Sequence, residues 1–332
     1  MGQPIHSLGE RGVIDAIRSA APSDMNGDDA AVLSPSSFAS KTVCSTDLLV
    51  EGQHFRGDWS TPYDVGRRAV VQNFADIEAM GARPVALLLG VAAPPELDSD
   101  VLTGIAKGIA DEAGRWPAEL VGGDVVTSER LTLSITAIGE LAGPAPALSL
   151  SGAHPGQTLI ASGRLGYSAA GWALLEHFGS PDAIPDSEHL QTLVDAFRVP
   201  SLARARGTVA RSTGATAMTD NSDGLVVDLS TMARASHVTI DLDKDAIAPD
   251  PAVREAARLL GRDPMEWICQ GGEDHALLAT TGADIPSGFR FLGRVHKQGA
   301  EPLTIDGQSP TFTLGWDPFG EESFGSDSSD RE

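Results

Sequence analysis

Carboxylates set at the ends of apolar segments, with few basic neighbours, are where this chain could do chemistry. Asp28 and Asp29 stand side by side in NGDDAAVL (26 to 33), directly ahead of a short apolar run. Ser45, Thr46 and Asp47 fall at an expected bend within a second apolar stretch, and Asp124 ends the run Leu120-Val121-Gly122-Gly123. Asp220 and Asp223 bracket Ser222 in TDNSDGL (219 to 225). Asp76 belongs to a helical pattern, with Asn73 three residues before and Met80 four after, on the face that carries Ala69 and Val70 towards the core. An acid on an inward face needs a partner.

Singly, most of these acids have structural explanations. Asp28 or Asp29 can fix a turn, Asp124 can serve as a turn residue after two glycines, and Ser222 or Asp223 can cap the helix that follows Gly224. Together they are harder to explain, because clustered buried carboxylates repel one another unless cations neutralise them, and no lysine or arginine stands near them in sequence. Oxygen donors without His or Cys select Mg²⁺ or a similar ion, commonly shared with substrate phosphates. Glycines beside the acids, at Gly27, Gly122 and Gly123, allow close approach of phosphate to backbone. The chemistry favoured is phosphoryl transfer, in which catalysis is mostly positioning and charge neutralisation.

The elements that must position these residues follow from periodicity and punctuation. Helices are expected over Leu8 to Ala20, Pro62 to about Met80, Val101 to Ala113, Ser168 to Phe178, Ser201 to Arg211 and Leu225 to Ala235. Strands are expected at Ala30 to Leu33, Thr42 to Val50, Val85 to Ala93, up to Asp124, Leu131 to Leu141, Thr158 to Ala161, Thr216 to Met218, Val238 to Leu242, Ala276 to Ala279 and Phe291 to Val295. The alternation predicts a mixed α/β protein. The uncharged, proline-rich segment 142 to 147 suggests a boundary near residue 150, giving domains 1–150 and 151–319 and an acidic tail, 320–332, unable to form a core.

Bulk properties narrow the function. The 332 residues suffice for two domains, and a net charge of −22 disfavours nucleic acid, which needs a cationic stripe. Four lysines, none after a glycine, exclude a Walker A loop, and GxGxxG and HExxH are absent. The apolar run Pro84 to Pro95 is far shorter than the ~20 residues of a membrane helix and reads as a buried strand. Two cysteines, Cys44 and Cys269, suggest neither a disulfide framework nor a zinc site. The first twenty residues lack a basic start followed by an apolar block, so a cytoplasmic location is expected.

Seven ordered motifs, GDDAAVL (27 to 33), STDLLVEGQHF (45 to 55), QNFADIEAMGARP (72 to 84), LVGGD (120 to 124), TDNSDGL (219 to 225), GGEDHALL (271 to 278) and GWDPF (315 to 319), resemble those of the thiamine-monophosphate kinases in the aminoimidazole ribonucleotide synthetase-like superfamily. The resemblance implies ATP- and Mg²⁺-dependent phosphorylation of thiamine monophosphate to thiamine diphosphate by direct transfer. It implies a homodimer whose N-terminal domains share a β-barrel, and an active site between the two domains. By motif, Asp28, Ser45, Thr46, Asp47, Asp76, Asp124, Asp220 and Asp223 would hold Mg²⁺, and Gly123, Asp124 and Ser222 would touch ATP. His54, Glu273 and Trp316 would hold thiamine monophosphate, with no catalytic residue beyond those that position metal and phosphate. The resemblance is weaker to aminoimidazole ribonucleotide synthetase, selenophosphate synthetase and the hydrogenase-maturation dehydratases. Two departures stand out: Leu150 replaces the family's arginine before Ser151-Gly152-Ala153, and His275 replaces an aromatic hydroxyl after GGED. Leucine cannot neutralise phosphate, so Arg164 or Arg67 would have to substitute, or ATP would bind less tightly.

Overall fold

The computed structural model describes residues 3–26, 30–312 and 315. Helix α1 (Ile5–Ala20) leads into a sheet built from β1 (Lys41–Val50), β2 (Arg83–Ala93), β3 (Glu119–Thr127) and β4 (Thr132–Leu141), with α2 (Pro62–Ala79) and α3 (Ser99–Ala113) between its strands. Its order is β1-β4-β2-β3, with β4 antiparallel to both neighbours and β2 parallel to β3. A parallel pair needs a crossover, which α3 supplies.

Local chemistry explains α2, the helix that matters most below. Thr61 and Asp64 form a reciprocal capping box around Pro62 at the first helical position, and Gly81, at φ +72°, turns the chain after the last turn. Gly66 and Gly108 let α2 and α3 cross closely: a Cβ on either would stand 2.1 Å from a backbone oxygen of the other helix, that of Ile105 or Tyr63.

Burial alternates along β1, β2 and β4. The face carrying Leu49, Leu89, Leu133 and Ile135 is buried beneath the helices, whereas Leu48 and Val126, on the opposite face, are 54% and 53% exposed. The run expected as a wholly buried strand is therefore buried on one side only, and Leu88 points to the open face. Ala30 to Leu33 forms no strand, having no ladder with a neighbour among the described residues. β3 does not stop at Asp124 but continues to Thr127 beside β2.

The second sheet runs β10-β7-β9-β5-β8-β6, with β5 (Thr158–Ser162), β6 (Ala215–Asp220), β7 (Val238–Leu242), β8 (Leu277–Thr281), β9 (Arg290–Lys297) and β10 (Leu303–Ile305). Its helices are α4 (Tyr167–Phe178), α5 (Glu188–Arg198), α6 (Arg206–Ser212), α7 (Leu225–Ser236), α8 (Pro251–Leu260) and α9 (Pro264–Gln270). The periodicity reading omits α5, α8, α9 and β10, although Asp250-Pro251 and Asp263-Pro264 are both cap-and-proline starts. It also begins α6 too early, since Ala205 adopts a left-handed conformation at φ +59° and the helix starts only at Arg206.

Arg211 of α6 donates to the backbone oxygens of Ala142, Ala145 and Pro146, tying down the segment between the sheets. α2 contacts both the first sheet and strands β6 and β8 of the second. One apolar cluster accordingly unites Val71 and Phe74 of α2 with Met218, Leu277 and Ala279. Among the described residues no helix is long and apolar enough to cross a membrane.

Candidate active site

The inward face of β1, the inner side of α2 and the loops after β6 and before β8 converge where the two sheets meet. Ser45 on β1 donates a hydrogen bond to Asp76 on α2, which supplies the partner an inward-facing acid needs. Asp47 lies two residues along on the same face, and Asp220 ends β6. His275 joins through Nδ1, 2.8 Å from an Asp220 carboxylate oxygen, with its Nε2 3.9 Å from Glu273.

These acids feel one another. Burial, with Asp220 and Asp47 adding repulsion, pushes Asp76 up to about 7. Burial also raises Asp47, with Asp220, Glu273 and Asp223 contributing and His275 opposing. Asp223 is raised by burial, then by Asp220 and Glu273. For His275, burial favours the neutral ring, but the bond to Asp220 and the charge of Glu273 outweigh it and lift the imidazole to about 9.

Glu273 behaves differently. Burial would raise it, yet Arg68, His275 and His54 together hold it below the usual range, and Arg68 donates directly to its carboxylate. His54 lies close enough to Glu273 for their charges to interact, though burial dominates and lowers the ring; its Nδ1 accepts from the Val50 amide at 3.1 Å. Both Glu273 and His275 hold left-handed backbone conformations, at φ +64° and +50°. That strain is sustained by amide bonds from Glu273 to the Ser222 oxygen (2.8 Å) and from His275 to the Asn221 oxygen (3.0 Å).

Several expectations need correction. Ser45 to Asp47 is not a bend but regular mid-strand, so its side chains alternate. Ser45 and Asp47 face the cluster, whereas the Thr46 hydroxyl donates to the Ile135 oxygen and accepts from Thr136, away from it. Asp124 is neither turn nor cluster member. It lies exposed on β3, at the opposite edge of the sheet from β1, and three strand spacings separate those edges by roughly 14 Å. Gly123 is demanded by the sheet itself, since a Cβ there would sit 1.9 Å from the Leu89 oxygen. Neither Ser222 nor Asp223 caps α7. The start of α7 has no side-chain cap; the Asp228 carboxylate instead accepts from the Asp223 and Gly224 amides just ahead of it, at 3.3 and 3.2 Å. Asp28 and Trp316 lie outside the described residues.

Arg68, His275 and Asp228 are the members that charge reading left unassigned to the cluster. The first had a usable signal, because Arg68, Gln72 and Asp76 recur every four residues and so form a polar stripe on α2. Burial pushes Asp228 up to about 8, with Asp220 and Asp223 adding to it.

The donor set suits a hard divalent cation: grouped carboxylates, Asp47, Asp76 and Asp223 held above their usual range, beside a guanidinium, Arg68, that is committed to Glu273. Among the described residues, however, no three acid, His or Cys side chains converge closely enough to chelate an ion by themselves. Nor do the suggested substitutes for the arginine at position 150 lie near it. Leu150 precedes Gly152, which packs on the Thr216 oxygen at the start of β6, whereas Arg164 follows the end of β5. Both strands are antiparallel to β8 and so run the same way, putting the two positions at opposite ends of the sheet, roughly 16 Å apart. Arg164 and Arg67 instead line a cavity of about 540 Å³ with Arg198, Tyr167 and Asp274.

Comparison with known proteins agrees with this architecture. Residues 27–141 match the family model "AIR synthase related protein, N-terminal domain", and 154–274 match the corresponding C-terminal domain. A thiamine-monophosphate kinase of Corynebacterium glutamicum is 54% identical over 319 residues, 96% of each chain. One from Mycobacterium tuberculosis is 45% identical over 323 residues, 96% of this chain and 93% of that one. A solved complex of AaThiL with AMPPCP and TMP superposes with a TM-score of 0.75 at 29% identity, covering 93% of this chain and 97% of the other. With two-domain coverage by the AIR synthase related models and over half its residues shared with a full-length relative, the chain belongs to the thiamine-monophosphate kinase family.

Proposed function

We propose that the protein transfers the terminal phosphoryl group of ATP to thiamine monophosphate, forming thiamine diphosphate, in line and without a phosphoenzyme. The observation that carries this reading is the meeting of Asp47, Asp76, Asp220 and Asp223, from both sheets and α2, with Glu273 and His54 beside them. It is supported by the solved relative that holds an ATP analogue and TMP.

The roles follow from charge and position. Ser45, Asp47, Asp76, Asp220 and Asp223 would hold Mg²⁺, which when bound neutralises the polyphosphate and the charge that develops on transfer. Asp28 and the Thr46 backbone belong to the same reading, as do Gly123 and Ser222 at the nucleotide. Glu273, kept ionised, and the half-buried His54 ring face the acceptor, whose cationic thiazolium suits a carboxylate and, at Trp316, an aromatic surface. The chain would need no general base of its own, because a phosphate oxygen is already an anionic nucleophile.

We further propose that two copies close on each other through the open face of the first sheet, on which Leu48, Leu88 and Val126 are exposed. The domain boundary near residue 150 fits the break between the two sheets.

The test is incubation with ATP, Mg²⁺ and thiamine monophosphate, with product separated by chromatography and an aminoimidazole precursor as parallel substrate. Thiamine diphosphate that disappears with EDTA supports the reading. ATP-stabilised melting without product would overturn it in favour of a silent nucleotide binder, for which Leu150 is the motivating feature.

A further inference from the structure

Arg68 is 2% exposed on the inner side of α2 and joins three parts of the molecule. One terminal nitrogen donates to the Glu273 carboxylate Oε2 and the other to the Phe197 backbone oxygen near the end of α5, and the guanidinium lies 5.0 Å from the centre of the Phe197 ring. Its Nε has no hydrogen-bond partner among the described residues. Neither Arg68 nor Phe197 belongs to any motif that suggested a role, yet they hold an acid that is kept ionised against its burial.

We propose that Arg68 is a positioning residue for the acceptor: anchored by Phe197, it fixes the Glu273 side chain so that Oε1 faces a cationic acceptor. This rests on the kinase reading above. The argument is geometric. With Oε2 committed to Arg68, Oε1 remains for a ligand, and the Arg68 guanidinium is a charged donor bonded directly to the Glu273 carboxylate. Because Arg68 comes from the first half of the chain and Glu273 and Phe197 from the second, the ion pair also sets how α2 sits against the acceptor side of the site. A lysine cannot reproduce this, since one ammonium cannot present two donors in the fixed fork that spans Glu273 and Phe197.

The test compares the full-length wild type with Arg68→Met, Arg68→Lys, Glu273→Gln and the double variant Arg68→Met/Glu273→Gln, under saturating Mg²⁺. Positioning predicts that Arg68→Met raises the KM for thiamine monophosphate at least tenfold while the KM for ATP stays within twofold. Arg68→Lys should recover only part of this, and the double variant should be no worse than the poorer single variant. Equal changes in both KM values, additive losses in the double variant, or full recovery by lysine would each overturn the proposal. Should Arg68→Met not fold, the lysine variant alone decides, by whether its KM defect is confined to the acceptor. A wild type that binds ATP but makes no thiamine diphosphate would instead sink the kinase reading, a separate outcome from any failure of the variants.

Discussion

Asp76→Asn should make the metal-free protein more stable and the enzyme nearly inactive, and the two effects share one cause. Asp76 is pushed from 3.8 up to about 7 by burial and by Asp220 and Asp47. A carboxyl raised in the folded state contributes no penalty below its unfolded value near 3.8. It destabilises progressively as pH rises and carries the full penalty above about 7. The shift of about three units corresponds to at most ~4 kcal/mol. Screening and relaxation at an effective dielectric well above that of a dry interior reduce the observable gain to about 1–2 kcal/mol. Asparagine can still accept the Ser45 hydroxyl, so no buried donor is orphaned. Thermal melts in EDTA at pH 5 and pH 8 should therefore show the variant melting a few degrees higher at pH 8, with the gap narrowing at pH 5. Mg²⁺ should raise the melting temperature of the wild type more than that of the variant, and turnover of the variant should fall by orders of magnitude. A variant less stable than wild type in EDTA at pH 8, or one that turns over normally, would refute the view that these carboxylates are held against their own repulsion for a cation.

Three further outcomes are expected. His275→Gln should destabilise the protein most below pH 6.5, with the deficit fading as pH rises through about 9, because a raised imidazole contributes stability only while protonated; a pH-independent deficit in chemical denaturation would point to packing instead. Leu88→Asp, on the open sheet face, should convert a dimer to monomers by light scattering without lowering the helix content, and an unchanged mass would remove that face from any interface. Leu150→Arg should lower the KM for ATP several-fold, because a guanidinium neutralises phosphate where leucine cannot; no change would mean that another group already serves the phosphates.

Much of the fold was legible in local pattern. β1, α2, β2 and α3 appear within a few residues of their expected bounds, because their punctuation is strong: Thr61-Pro62 before α2, Gly81 after it, Asp98 at the cap of α3. Ala30 to Leu33 misled because four apolar residues look like a strand whether or not a neighbour offers a ladder. The acids were legible as a group for a similar reason, since repeated unpaired carboxylates at element ends are rare in any packed core.

What the sequence determined by itself was the inventory: a mixed α/β chain, carboxylates in excess of nearby cations, and motifs enough to place it in a family. Which of those residues meet was decided only by tertiary structure. Side-chain alternation along β1 sends Ser45 and Asp47 inward and Thr46 outward, a distinction that depends on which face the helices cover. Strand order, not strand sequence, puts Asp124 at the far edge from Asp47. The charge partners of Glu273 and Asp220 come from 205 and 55 residues away in the chain, so no local window contains them. Pairing at that separation is set by how the two sheets pack on α2, and packing is a property of the whole core rather than of any segment in it.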